Sequence, residues 1–287
     1  MTPALLGLVA AVAWGLHDFV GRFATRSVGQ INVTLGVMLS GFLLLSIHQL
    51  ATGDSPAFGA EGVLLAAIAG AGYALATLFL FAAYRVGSMS IVSPLVGAYP
   101  AIVVAFNVAL GARPSLYAWS AMGIVMAGSG LVSAAGVGHE EKGFIATGRL
   151  GHVLLLSGLS AASFATAIMA GQTAASLSGE MSATWLARGF AVIIPAALLL
   201  RPALREPTPA IWWPPIAIMG LFDTTAMLAI FTAGDMPGRE IAAVTGSSFG
   251  AIVALLAWAI LKEPISPGQW AGMALIFTGT AVLTAGW

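Results

Sequence analysis

The sequence contains no cysteine and very few charged residues. Without cysteine among its 287 residues, the chain has no disulfide, thiolate metal site or cysteine nucleophile. Charged residues make up only 8% of the chain, against about a quarter in soluble domains. The 11 basic and 11 acidic side chains balance, which argues against a nucleic-acid-binding surface. No zinc-protease, phosphate-loop or ATPase motif occurs, so the sequence predicts no catalytic residues, no metal and no cofactor.

Long apolar runs take the place of the missing charges. Hydrophobic residues make up 59% of the chain, and the mean hydropathy is +0.96. A membrane core of ~30 Å needs roughly 20 apolar residues per helix. Ten segments meet this length, which predicts an all-α membrane protein with ten transmembrane helices. They lie near residues 4–25, 31–50, 62–84, 89–111, 116–136, 150–171, 181–200, 210–233, 240–261 and 268–286.

The chain also contains an internal repeat. Shifting the sequence by 150 aligns residues 68–114 with 218–264 without gaps, and 12 of the 47 aligned positions are identical. The matched positions include Pro114 and Pro264, which each follow an apolar segment. Five helices per half is an odd number, so the second half enters the membrane from the opposite side. The sequence therefore predicts an inverted repeat, with halves 1–136 and 150–287 joined by a linker at 137–149.

The orientation is predicted from the basic residues near the helix ends, because cytoplasmic loops are enriched in lysine and arginine. Eight lie on the face that includes the linker: Arg22, Arg26, Arg85, Lys142, Arg149, Arg201, Arg205 and Lys262. The opposite face has two, Arg113 and Arg239. This count predicts that both termini are outside and that the linker is cytoplasmic.

Several short motifs resemble the EamA family of the drug/metabolite transporter superfamily. They are Ala13-Trp14-Gly15, the stretch 82–88 with Pro100 beyond it, and Leu261-Lys262-Glu263-Pro264-Ile265-Ser266 followed by Trp270-Ala271-Gly272. In the first half Arg113 replaces the glutamate that the family usually has there. The resemblance implies two EamA-like five-helix halves and export of amino acids, metabolites or drugs. Family members often have cytoplasmic termini, whereas the charge count here predicts the reverse.

Asp223 is the deepest predicted acidic residue. It follows Trp212 and Trp213 by about ten residues, or ~15 Å of helix, which places it near the bilayer centre. Its repeat counterpart is Tyr73. One interpretation is a proton-coupling site or a counter-ion for a cationic substrate, since intramembrane charges are usually functional. The alternative is a structural aspartate hydrogen-bonded by Thr224, Thr225 or the nearby backbone.

Three further ionisable residues are candidates. Arg188 could bind a carboxylate through two hydrogen bonds, pair with Asp223, or reach outward to water. Asp18 and Arg22 are four residues apart in helix 1 and could form an ion pair. His17 is either a proton-sensitive group or a hydrogen-bonded structural histidine.

Aromatic residues and prolines complete the candidate site. Trp14, Tyr73 and Tyr99 are predicted to line a central cavity with cation–π surfaces, the alternative being ordinary packing. Pro94 and Pro100 in the fourth segment are predicted hinge residues, the alternative being a static bend.

The sequence therefore predicts a secondary transporter of the inner membrane. It would export small polar or amphipathic metabolites by alternating access, driven by an ion or substrate gradient, with proton coupling as one option. The alternatives are a flippase of lipid-linked substrates with a cavity open to lipid, and an intramembrane enzyme, for which no convincing nucleophile–base pair is present. The expected partners are the substrate and membrane lipid, with no nucleic acid; a homodimer is left open.

Overall fold

The computed structural model describes residues 1–53, 59–86, 92, 95–135, 150–262 and 264–285. Over these residues the chain is helical, without a strand, and forms eleven α helices. The first half contains α1 Pro3–Val28, α2 Gln30–Thr52, α3 Ala60–Val86, α4 Tyr99–Ala109 and α5 Leu116–Ala135. The second half contains α6 Leu150–Ser178, α7 Glu180–Leu198, α8 Trp213–Thr232, α9 Arg239–Gly246, α10 Phe249–Leu261 and α11 Pro267–Ala285.

Seven helical stretches of the described residues are long and apolar enough to cross a membrane, and two shorter apolar helices accompany them. Polar and glycine residues set their ends. Thr2 caps α1 by accepting a hydrogen bond from the Leu5 backbone, with Pro3 in the first turn. Gly29 alone separates α1 from α2, and Gly179 alone separates α6 from α7. The two glycines have nearly the same backbone conformation, with φ and ψ of 81° and 147° at Gly29 and 79° and 148° at Gly179. Both turns need glycine, because other residues rarely adopt positive φ.

The predicted ninth segment, 240–261, is not one continuous helix. α9 ends at Gly246 and α10 begins at Phe249, so the helix is interrupted at Ser247 and Ser248. The first half has an equivalent interruption just before α4. Ala98 precedes α4 with φ −80° and ψ 0°, and Ser248 precedes α10 with φ −74° and ψ 0°. The fourth segment of each half is therefore interrupted at positions 150 apart.

This interruption changes the interpretation of Pro100. It lies in the first turn of α4, where a missing backbone N–H breaks no helical hydrogen bond. The bend thus coincides with the start of α4. The second predicted hinge residue, Pro94, and the predicted linker 137–149 lie outside the described residues, so the hinge remains a prediction.

The helices pack mainly across the two halves. α3 packs against α6 and α7, and its equivalent α8 packs against α1 and α2. α5 packs along α11, and α2 along α7. Contacts between helices that are neighbours in sequence are less extensive. The largest cluster of buried side chains accordingly combines residues of both halves and is rich in alanine.

Two glycines show that these contacts repeat with the same 150-residue register. Gly70 of α3 lies so close to α7 that an added Cβ atom would press on Ala187, Phe190 and Ala191. Gly220 of α8 lies equally close to α2, and the residues that an added Cβ would meet are each 150 lower: Val37, Ser40 and Gly41. The two halves therefore present equivalent surfaces to each other.

Equivalent helices that touch are antiparallel. Along α2 and α7, Met38 contacts Arg188 while Ser46 contacts Trp185. In the fourth and ninth segments, Tyr99 bonds to Ala243 while Asn107 bonds to Arg239. In α5 and α11, the close contacts pair Gly128 with Gly272 and Ala135 with Gly268. In all three cases the residue numbers rise on one helix as they fall on the other.

We predict that Gly70→Ala and Gly220→Ala each lower the thermal stability of the detergent-solubilised protein. The added methyl group at Gly220 would lie 2.6 Å from Ser40 Cβ and 2.8 Å from the Val37 carbonyl oxygen, so α2 and α8 must separate. Overpacking of this kind costs about 1–3 kcal/mol.

Gly123→Ala is the matched control, because an added Cβ there meets no atom within 4 Å. Alanine favours the helix by about 1 kcal/mol over glycine, so the control should be neutral or stabilised. Equal unfolding midpoints for the three variants, followed by tryptophan fluorescence, would contradict the close helix contacts.

Candidate functional site

The centre of the interface between the halves contains a buried ion pair. Nη1 of Arg188 on α7 lies 2.6 Å from Oδ2 of Asp223 on α8. Both residues have 0% relative exposure. Charges buried this deeply persist only when they are paired and hydrogen-bonded, so this contact determines how the surrounding helices pack.

The other carboxylate oxygen of Asp223 is bonded by the first half. Oδ1 accepts hydrogen bonds from the Tyr73 hydroxyl of α3 and from Nε1 of Trp14 of α1, the latter at 3.0 Å. The neighbouring threonines do not take this role: Thr225 donates to the Leu221 carbonyl at 2.9 Å. Thr224 Oγ1 is buried and has no hydrogen-bond partner among the described residues.

Arg188 is only partly satisfied. Its Cζ lies 5.2 Å from the centroid of the Tyr73 ring, in cation–π geometry. Nη1 also lies 3.6 Å from the sulfur of Met38 on α2. Nε and Nη2 of the same guanidinium are buried, and within the described part of the chain neither has a hydrogen-bond partner.

The site lies on the axis that relates the two halves. Tyr73 and Asp223 are 150 residues apart and bond to each other, and the same separation joins Met38 and Arg188. A residue that contacts its own symmetry counterpart must lie at the two-fold axis.

A chain of side chains extends from this axis in both directions. On one side Asp223 bonds to Trp14, whose ring meets Phe249 edge-on at 6.4 Å. On the other side Tyr73 meets Phe164 at 5.6 Å, and Phe164 meets Tyr99 at 5.9 Å. The order is palindromic in the repeat: Phe249, Trp14, Asp223, Tyr73, Phe164 and Tyr99. The chain ends at Phe249 and Tyr99, the first residues of α10 and α4, and so connects the two helix interruptions.

The structure brings together four of the seven predicted site residues: Trp14, Tyr73, Arg188 and Asp223. Tyr99 is 4% exposed, joins them through Phe164, and donates to the Ala243 carbonyl at 3.3 Å. His17 and Asp18 lie one turn beyond Trp14 and bond to each other at 2.8 Å. The Asp18 side chain is 43% exposed. The Arg22 side chain lies outside the described residues, so the Asp18–Arg22 pair remains a prediction.

Sequence reasoning missed several residues of the site: Met38, Phe164, Thr224 and Phe249. A usable signal was present for three of them. The 150-residue shift takes Trp14 to Phe164, Tyr99 to Phe249 and Arg188 to Met38. Thr224 has no such signal, because a threonine within an apolar helix usually bonds to its own backbone.

Comparison with known proteins now decides the family. The EamA-like transporter family matches residues 1–134 and 151–285. The chain belongs to the EamA-like transporter family. It is therefore an integral membrane protein of the drug/metabolite transporter type, built from two repeats.

One solved crystal structure, described only as that of a protein, has the same fold as this EamA-like transporter. It shares 18% sequence identity over 99% of this chain and 96% of its own, with a TM-score of 0.80. No curated protein matches the sequence. Among the described residues of the transporter, no group of three His, Asp or Glu side chains is placed to bind a metal.

We predict that Arg188→Gln is more destabilising than the double change Arg188→Gln with Asp223→Asn. The single change leaves a buried carboxylate without its cation, which typically costs about 3–5 kcal/mol, whereas the double change removes both charges. Thermal unfolding of the purified variants in detergent measures the difference. A double variant as unstable as the sum of the two singles would show that the residues do not act as a pair.

Proposed function

We propose that this chain is a secondary transporter that exports small polar or amphipathic metabolites by alternating access. Its site is the cluster around Arg188 and Asp223. The observation that carries the proposal is the position of this ion pair: it is fully buried and lies on the axis between the two halves. Intramembrane charges that face the interior of a helix bundle mark substrate and ion pathways.

We also propose that the two halves form an inverted repeat across ten membrane-crossing segments. The antiparallel packing of equivalent helices supports this arrangement, and so do the glycine contacts that repeat at 150 residues. An inverted repeat places one site at the membrane midplane between two halves that rock against each other. The paired helix interruptions before Tyr99 and Phe249 are a further feature of such sites.

The repeat indicates which contacts change during transport. In an inverted repeat, the outward- and inward-facing states are related by exchanging the conformations of the two halves. A contact between a residue and its own counterpart is unchanged by this exchange. The contacts Tyr73–Asp223 and Met38–Arg188 are of this kind. We therefore assign them to the pivot, and the remaining contacts of α1, α2, α7 and α8 to the moving parts.

Asp223 is proposed to control transport through its charge. A proton or a cationic group on this carboxylate would neutralise it and release Arg188, because the ion pair exists only while both residues are charged. Proton uptake at Asp223 would thereby couple a gradient to the opening of the site.

We predict that Asp223→Asn abolishes gradient-driven flux in proteoliposomes while expression remains normal. Asparagine keeps the size and most of the hydrogen bonding of aspartate but not its charge. The measurement is uptake of a panel of amino acids and drugs with and without a pH gradient.

Asp235→Asn serves as the control, since it makes the same chemical change at an exposed site after α8. It should transport like the parent protein. Undiminished flux through Asp223→Asn in acidic and alkaline buffers alike would rule out a role for the charge.

The proposed orientation places both termini outside. Because the chain has no cysteine, single cysteines can be introduced without removing any. We predict that Ala51→Cys, at the exposed end of α2, reacts with a membrane-impermeant thiol reagent on intact cells. Ala203→Cys, exposed between α7 and α8, should react only after permeabilisation. The opposite labelling pattern would invert the topology.

A further inference from the structure

We infer that the Nε–Nη2 edge of Arg188 binds a carboxylate group of the transported substrate. This inference rests on the proposed transport function and adds a substrate class to it. Asp223 occupies Nη1 of the guanidinium, leaving the adjacent edge for a second partner.

The unused edge is the observation that requires a ligand. Arg188 has 0% exposure, and its Nε and Nη2 atoms have no hydrogen-bond partner among the described residues. Buried donors on a charged group are almost always paired, since an unpaired one loses its hydration without compensation. Here two donors on one edge of the same side chain are unpaired together.

Thr224 and Gly41 show what surrounds this edge. A Cβ atom added to Gly41 would lie 3.4 Å from Arg188 Nε and would also contact Thr224 Oγ1. Nε and Thr224 Oγ1 therefore face the same side of α2. Thr224 Oγ1 is itself buried and, within the described residues, unpaired. Three unpaired polar atoms thus converge beside a residue that has no side chain.

A carboxylate matches this arrangement better than a neutral group does. Its two oxygens can accept in parallel from Nε and Nη2, in the fork geometry typical of arginine. The remaining lone pairs can accept from the Thr224 hydroxyl, because a carboxylate oxygen accepts more than one bond. α2 closes the site in this structure, and Gly41 must move away from α7 and α8 before a ligand can enter.

Charge balance limits the ligand further. Arg188 and Asp223 already neutralise each other, so a carboxylate brings an uncompensated negative charge into the membrane interior. It must carry its own cation, as a zwitterion does, or be accompanied by a proton on Asp223. Both sources share the carboxylate, and the experiment separates them.

The test compares three small probes on the purified protein: glycine, acetate and methylammonium. They carry both groups, the carboxylate alone and the cation alone, and none is excluded by size. We expect glycine, or both carboxylates, to raise the thermal unfolding midpoint, and methylammonium to have no effect. A shift with glycine alone identifies a zwitterion site, whereas a shift with acetate that grows at acidic pH identifies the proton-accompanied form.

Arg188→Lys is the decisive variant. Lysine keeps the positive charge beside Asp223 but lacks the planar edge formed by Nε and Nη2. We expect the variant to fold and the affinity for the carboxylate probes to fall at least tenfold, as for loss of a charged hydrogen bond (about 1.4 kcal/mol per factor of ten). Thr224→Val should weaken binding less. Thr225→Val is its matched control and should bind normally, because the Thr225 hydroxyl is bonded to its own helix.

Two results would overturn the inference: no carboxylate stabilises the parent protein, or the stabilisation is the same in Arg188→Lys. Proteoliposome flux distinguishes this failure from failure of the proposed function. If the chain is a transporter but Arg188 does not hold a carboxylate, flux of some solute persists and Arg188→Lys supports it. If no solute crosses through the parent protein, the transport proposal itself fails.

Discussion

A guanidinium and a carboxylate that share a water-free interior can persist only together, and the packing around Arg188 and Asp223 follows from this requirement. Each charge alone would cost several kcal/mol at this depth in a membrane. The pair becomes tolerable because Tyr73 and Trp14 bond to the second carboxylate oxygen. These partners come from the first half, whereas the ion pair belongs to the second. Neither half alone can therefore satisfy Asp223, and closing the interface is coupled to satisfying the charge.

Close approach of the helices is the second requirement, and small residues provide it. Hydrophobic burial contributes little to helix association in lipid, so van der Waals contact between backbones must supply much of the stability. Gly70 and Gly220 allow α3 and α8 to lie directly against the backbones of α7 and α2. These contacts lie less than one helical turn in sequence from Tyr73 and Asp223, so the glycines hold the bonding side chains within reach. The same helices must separate when a substrate enters, and contacts between small residues can break without rearranging long side chains.

The sequence was sufficient to predict the helical segments, because hydropathy depends on local composition, and it was sufficient to predict the depth of Asp223. It did not reveal the interruption at Ser247 and Ser248, since isolated serines are common within membrane helices. It also did not reveal the partners of Asp223. They lie on three other helices, and their rotation about the helix axes is set by packing rather than by local pattern. The repeat register nevertheless contained part of the answer, because Tyr73 is the counterpart of Asp223.

The difference between the halves at the axis is itself a consequence of electrostatics. Residues on the axis contact their own counterparts, as Tyr73 contacts Asp223 and Met38 contacts Arg188. If both halves carried the same residues there, one aspartate would face another and one arginine would face another. Like charges in contact within a low-dielectric interior are strongly unfavourable. An ionisable residue on this axis can therefore occupy only one half, while its counterpart must be neutral and able to bond to it. Tyrosine meets this condition opposite a carboxylate, since its hydroxyl donates. Methionine meets it opposite a guanidinium, since its sulfur is a weak acceptor. The repeat thus remains similar in backbone while its centre must be asymmetric.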